Sequence, residues 1–440
     1  MSIADDHIAL RTKLPRTYLL WLGGAFTSQL GDAAMYFALG WAATAHGGGA
    51  AGLVLTSVAL PRTLLLLLGG AVADRFSPRR ILILGDSMMV AMTVGVALTA
   101  YARGSTMWLL LGAGVIIGTI DAFYLPVSGS MPRRLVGADN LDRAVGLSQS
   151  GSQLISLVGG SVGGALVTAG GLTGAAVFDG VTFAFAVLVA VLIRPRFEVP
   201  PPAERTNLLR EAAQGVTFSL RHPVLRPALL LTGGVAGFAI PVGSLLVPLL
   251  ARENHWGAQV AGVVLGGEAL GALVVALLVA RWGAFRLPGV VAALSVVPMA
   301  LGIAVLGQAH QAPVAVSAGA CFGLGLGLFV THLGPVMLGA SPVTHLARVQ
   351  ALITLVQSLV LVVTLNLLGQ LADVVDAFAT ALVCAAVLAG AGVLALLSSP
   401  LRRATMKQPQ QDGQDGQDEQ DGDGDGQDEQ DEQVRQGETV

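Results

Sequence analysis

Charge is what this sequence has least of. Asp, Glu, Lys and Arg make up 12 % of its 440 residues, about half the share of an ordinary soluble domain, which excludes a soluble globular chain. Lysine occurs only at Lys13 and Lys407, and no G-x-x-x-x-G-K-[ST] loop exists. The chain therefore has no phosphate cradle of its own, and any transport it performs draws on a gradient or a partner. The two cysteines, Cys321 and Cys384, lie far apart inside apolar runs. By count they exclude a disulfide framework and a zinc site, and they read as small hydrophobes. There is no H-E-x-x-H, and the seven histidines form no obvious ligand pair, so an enzyme is not expected and no catalytic residue, metal or cofactor is assigned. Aromatic residues amount to 5 %, which leaves few rings to stack on a flat ligand.

What the sequence has is apolar length. Hydrophobic residues make up 53 % and the mean hydropathy is +0.70. Continuous apolar runs fall at about 18–45, 50–73, 81–102, 106–131, 144–169 and 173–193, and again at 226–250, 258–280, 287–308, 312–338, 349–371 and 377–397. Each reaches about the 20 residues that cross a bilayer core, and none alternates in the ten-residue pattern of a barrel strand. The expected fold class is an all-α membrane protein of twelve transmembrane helices in two six-helix bundles, over 18–193 and 226–397. A segment at 1–17, a proline-containing linker at 194–225 and a tail at 398–440 complete the division. The first run is too long for a signal peptide and reads as a retained span.

The net charge of −3 hides two opposed regions. Residues 408–440 carry twelve acids and one Arg, so the tail is acidic, rich in Gln, Gly and Asp, and expected to be disordered. The body has a positive excess. With the N-terminus inside, 21 Lys and Arg fall in inner segments and two, Arg103 and Arg252, in outer loops. That bias predicts a multi-pass plasma-membrane protein with both termini cytoplasmic, and because the positive excess sits on one side of a membrane it is no sign of nucleic acid.

Ionisable groups inside spans cost about 2.5–3.5 kcal/mol each on insertion scales, so each needs a reason. Six occur: Asp32, Arg62, Asp86, Asp121, Asp179 and Glu268. By linear position Asp32, Arg62, Asp121 and Glu268 fall at mid-depth, while Asp86 and Asp179 fall toward the interfaces. Arg62 is expected to pair with an acid, and Asp32 on the preceding helix is the natural candidate. A desolvated carboxyl tends toward its neutral form and titrates near physiological pH, the chemistry of a proton-coupled carrier. Asp32 is the first choice for proton coupling, with Asp121 and Glu268 behind it. The bland alternative is that these acids only hold helices together. Ser28, Asp32 and Tyr36 share one face of helix 1, and Asp121, Tyr124 and Ser128 one face of helix 4. In lipid such faces point inward. Phe26, Ser28, Tyr36, Phe123, Tyr124 and Gln357 are the expected lining of a substrate cavity.

Between helices 2 and 3 the chain reads Gly70-Ala-Val-Ala-Asp74-Arg75-Phe-Ser-Pro-Arg79-Arg80. Gly70 allows close approach, Asp74 suits a helix N-terminus, and the arginines suit anionic headgroups. This loop, in a chain of six plus six spans, resembles the signature G-x-x-x-D-R-x-G-R-R of the major facilitator superfamily. Gly70, Asp74, Arg75, Arg79 and Arg80 match; Ser77 and Pro78 depart from it. A finer likeness to the macrolide-efflux-like branch of drug:proton antiporters rests on Gly31-Asp32, Pro126, Pro132-Arg-Arg-Leu-Val and Ala347-Arg348-Val349.

The resemblance implies alternating access about a central site, with Asp74 and its neighbours, and Arg348 before helix 11, forming a cytoplasmic conformational latch. It implies efflux of a small-molecule substrate, lipophilic compounds such as antibiotics, in exchange for protons, by a monomer in the lipid bilayer. The missing Pro at Gly159-Gly160-Ser161-Val162-Gly163-Gly164 departs from the exporter pattern. Export of one dedicated siderophore or secondary metabolite is the alternative, and a non-transporting membrane sensor or scaffold is the second.

Overall fold

The computed structural model describes residues 14–73, 76–137, 140–194, 197, 217, 219, 221–341 and 346–404. The acidic tail from 405, most of the linker, the first 13 residues, and Asp74 and Arg75 of the signature loop lie outside the described residues.

Among the described residues the structure is helical, with no strand. The first half comprises α1 (Arg16–Ala43), α2 (Gly48–Ala73), α3 (Pro78–Arg103), α4 (Met107–Leu135), α5 (141–169) and α6 (172–192). The last two are one run, Leu141–Leu192, of 52 residues, about twice what a bilayer needs at 1.5 Å per residue. The run breaks at Gly170 and Gly171, where φ of Gly171 is +59° with ψ −154°, a backbone conformation that strains any L side chain.

The second half comprises α7 (Leu225–Glu253), α8 (Ala258–Trp282), α9 (Pro288–Gly307), α10 (Ala312–Gly339), α11 (Leu346–Val374) and α12 (Ala377–Leu397). A wide π turn, Val242–Leu246, follows Pro241 within α7. Ten described stretches are long and apolar enough to cross a membrane. Counting Leu141–Leu192 twice and adding α1, whose hydropathy is lowered by Gln29 and Asp32, gives twelve.

Large apolar side chains cover the outside. Leu64 and Leu98 are each 66 % exposed and Leu397 72 %. In water that surface is a liability; in a bilayer it faces acyl chains. Tyr101 and Trp108 stand exposed on either side of the α3–α4 turn, where aromatic side chains mark the membrane boundary.

Within the first half, α1 lies between α5 and α6. Phe26 packs on Gly151 and Ala33 on Gly159 along α5, while Val189 of α6 packs on Gly24. α2 runs along α4 rather than along α1, since Gly118 and Gly69 leave the carbonyls of Val58 and Ala122 against bare backbone.

The halves meet along two helix pairs, α2 with α11 and α5 with α8. The hydrogen bonds described between them lie toward the end of the molecule away from the chain termini. There the Asp373 carboxylate accepts from the amides of Gly48 (2.5 Å) and Gly49 (2.8 Å). Asn366 donates to Thr56 (2.6 Å), and Ser161 to the carbonyl of Gly262 (2.9 Å). Arg252 reaches the Thr44 hydroxyl (2.7 Å) and the Trp41 carbonyl (2.8 Å) while lying over the Trp41 ring. A Cβ at Gly48 would strike the backbone of Gly369, and one at Gly52 that of Leu365. Backbone meets backbone across this closure.

Candidate functional site

A cavity of about 370 Å³ lies between the halves, and both contribute to its wall. From the first half come Tyr36 of α1, Arg62 of α2 and Ser156 of α5; from the second, Ser244 of α7, Leu265 of α8 and Leu361 of α11. The rest of the wall is glycine and apolar side chains, so a ligand would find grease with a few polar points, the usual make-up of a small-molecule site.

Tyr36 connects this cavity to the interior of the first half. Its ring forms part of the wall, and its hydroxyl donates to Oδ2 of Asp121 at 2.5 Å. Asp121 is 8 % exposed, so the bond lies inside the bundle on the far side of the ring. Arg62 acts electrostatically on both Tyr36 and Asp121. The expected partner of Arg62 was Asp32, the acid on the neighbouring helix in sequence. The acid that feels it is Asp121, because α2 packs along α4.

Asp32 is surrounded by acids. Asp179, Asp121 and Asp86 all lie within its electrostatic reach. Asp86 and Asp179, placed near the interfaces by linear position, thus join Asp32 and Asp121 in one group drawn from α1, α3, α4 and α6. Asp179 is wholly buried, with the Thr182 hydroxyl as the polar group nearest its carboxylate among the described residues. It packs directly on Gly31, beside the Thr182 hydroxyl. Any side chain at position 31 would strike both groups, which is the physical reason for a glycine immediately before Asp32. Asp86 is also buried, and the Tyr124 hydroxyl lies beside it and Ser28. Among the described residues no group of three or more His, Cys, Asp or Glu is arranged to hold a metal ion.

Glu268 of α8 stands apart from the aspartates. It comes up behind the cavity wall at Gly243, where an added Cβ would sit 3.4 Å from its Oε2. Of the six residues expected to line the cavity, Tyr36 does so. Phe26 instead packs on Gly151, Ser28 is buried beside Tyr124, and Phe123, Tyr124 and Gln357 do not contribute to the wall. Helical periodicity puts Ser28 and Tyr124 on inward faces, but an inward face can meet another helix of the same bundle as readily as the space between bundles.

The signature loop is only partly described. Asp74 and Arg75 lie outside the described residues, as does the side chain of Arg348. Gly70 lies in the last turn of α2, and Arg80 is exposed. Arg79 donates from Nε to the Ala190 carbonyl (3.2 Å) and from a terminal nitrogen to the Val191 carbonyl. It caps the C-terminal carbonyls of α6, where a cation also suits the helix dipole.

The residues missed by sequence reasoning are those of the closure: Asp373, Gly48, Gly52, Asn366 and Arg252. The signal was present as the run Gly47-Gly48-Gly49-Ala50-Ala51-Gly52, small enough to admit another backbone.

Two packed helical halves around a shared, mostly apolar cavity define a multi-pass helical membrane protein with a site between its halves. The chain belongs to the Major Facilitator Superfamily, whose family model matches residues 21–365. Among curated proteins it is similar to the enterobactin exporter EntS of Citrobacter koseri, 27 % identical over 238 residues, which cover 54 % of this chain and 56 % of that one. EntS of Shigella boydii matches over the same shares. The chain thus spans about half the length of these curated relatives. Among solved structures, a mutant of the nucleoside transporter NupG superposes with a TM-score of 0.69 at 12 % identity, covering 88 % of this chain and 99 % of that one. A bacterial homologue of the human lysosomal transporter Spinster, inward-facing and occupied, gives 0.64 at 16 % identity, over 89 % and 98 %. At such identities the two structures speak to the fold alone.

Proposed function

We propose that the chain is a secondary exporter that carries small amphipathic organic molecules out of the cytoplasm in exchange for protons. The observation that carries this reading is Tyr36, which touches the cavity with its ring and Asp121 with its hydroxyl. A ligand that displaces the ring disturbs the carboxylate group behind it, and a change of protonation there is felt in the cavity. That is the coupling an antiporter needs. Asp32, at the centre of the aspartate group, is the proposed proton carrier, with Asp121 next to it and Glu268 serving the second half.

The excess of Lys and Arg at the terminal end supports cytoplasmic termini and, with them, an outer position for the Asp373 closure. Closed outside is the state in which an exporter loads its cargo. Dedicated export of a single metabolite, in place of many drugs, is favoured by the likeness to proteins named as enterobactin exporters.

The test is accumulation of dyes, antibiotics and siderophores in cells expressing wild type or Asp32→Asn, with and without a protonophore. Reduced accumulation reversed by both protonophore and mutation is the expected result. Several unrelated substrates would point to multidrug export and one to a dedicated exporter. Unchanged accumulation of every compound would overturn the reading.

A further inference from the structure

We propose that Arg62 is the recognition group of the central cavity and that the cargo is an amphipathic acid, an apolar body bearing one carboxylate or comparable anionic group. The inference rests on the export reading for the site's purpose and deepens it by naming the substrate class.

Arg62 is the one charged residue among those that line the cavity. Its guanidinium carries five N–H donors in a planar fork, yet among the described residues it makes neither a hydrogen bond nor an ion pair within 4.0 Å. Asp121, the acid that acts on it, is engaged by Tyr36. An arginine is costly within a membrane and is kept there for a pathway or a ligand. Arg62 lines a cavity walled also by Phe37, Leu55, Leu265 and Leu361; a guanidinium in that position can meet a carboxylate bidentately, and the low dielectric of such a wall strengthens the match. The apolar wall takes the body of the ligand, while Ser156 and Ser244 offer neutral polar contacts at its margins. No acid is among the lining residues, Glu268 and Asp121 lying behind Gly243 and Tyr36, so a cationic ligand meets Arg62 first, as a repulsive element.

The experiment compares 2-naphthoate with its uncharged counterpart 2-naphthamide. Binding to the purified full chain is measured by titration calorimetry, and export is measured in energised membrane vesicles. Wild type is expected to bind naphthoate about tenfold or more tightly than naphthamide, the range of one charge-assisted bidentate contact. Arg62→Gln is expected to abolish that preference while leaving naphthamide affinity unchanged. Arg62→Lys, which keeps the charge and loses the fork, is expected to retain part of it. Should Arg62→Gln not fold, a several-fold loss of naphthoate alone in Arg62→Lys carries the same meaning.

Equal binding of acid and amide by folded wild type, or no binding of the acid, overturns the proposal. So does an equal loss of both ligands in Arg62→Gln, which would make Arg62 only a structural counter-charge to Asp121. If naphthoate binds through Arg62 but neither it nor any related acid moves in energised vesicles, the recognition stands and the export reading fails.

Discussion

The hydroxyl of Tyr36 donates to Oδ2 of Asp121 across 2.5 Å, while the ring that carries it forms part of the cavity wall. One side chain therefore belongs both to the space where a ligand would sit and to the interior where four aspartates from α1, α3, α4 and α6 gather.

Tyr36→Phe keeps the ring and removes the hydroxyl. Asp121 then loses a donor inside the bundle, at a cost of about 1–3 kcal/mol for an unsatisfied buried polar group. Transport driven by a proton gradient is expected to fall about tenfold, while ligand binding in the absence of a gradient changes little. Parallel measurements of gradient-driven export and of equilibrium binding check this. Loss of binding with intact coupling would contradict the role given to the hydroxyl.

Asp373 accepts from the first amides of α2, so the two halves share a helix cap. Asp373→Asn keeps the shape and removes the charge that favours a helix N-terminus, a loss of about 1 kcal/mol. The population closed at this end is expected to drop about fivefold relative to its open counterpart. Cysteines placed at Thr56 and Asn366, with Cys321 and Cys384 replaced by alanine, report this as slower disulfide formation in the variant.

Gly52 faces the Leu365 backbone with no room for a Cβ. Gly52→Leu is expected to block closure along α2 and α11, reducing transport by at least about tenfold. Each half keeps its own helix packing, so the protein should still purify as a folded species with a cooperative melt. Loss of folding itself would mean that the closure is needed for assembly.

His222 lies outside the spans, ahead of α7. Its Nδ1 accepts from the amides of Val224 and Leu225, both at 3.3 Å, and burial holds its pKa below the usual histidine range. The unfolded chain therefore binds this proton more readily, and the stability contributed is full above about pH 6.5 and is lost as the pH falls through the lower folded-state pKa. Protonation would also turn an acceptor into a donor at the positive end of a helix. Wild type is expected to lose more melting temperature between pH 7.5 and pH 5 than His222→Asn, which offers an acceptor that does not titrate.

Arg62 and Arg79 show where a linear reading stops. The order of the helices along the chain pairs Arg62 with Asp32, yet α1 and α2 do not pack most closely; Gly69 and Gly118 draw α2 against α4, and the arginine goes with it. Arg79 reads as part of a loop signature, and it is spent on the carbonyls at the end of α6, more than a hundred residues later. Asp86 and Asp179 stand toward the ends of their own helices by linear position, apart from the mid-depth acids. Their burial and their proximity to Asp32 are properties of the bundle and cannot be read from spacing.

The sequence by itself determined that this protein crosses a membrane as twelve helices, because hydropathy acts over single runs of about twenty residues, and each run must satisfy its own backbone in lipid. It also marked Asp32, Tyr36, Arg62 and Asp121 as residues needing a reason, since polar groups in an apolar run are visible one at a time. The tertiary structure decided which of them meet. Tyr36 with Asp121, Arg62 with the cavity, Asp373 with the start of α2 and Asp179 with Gly31 are contacts between helices far apart in sequence, set by how small residues let backbones approach, and that packing exists only once the bundle is assembled.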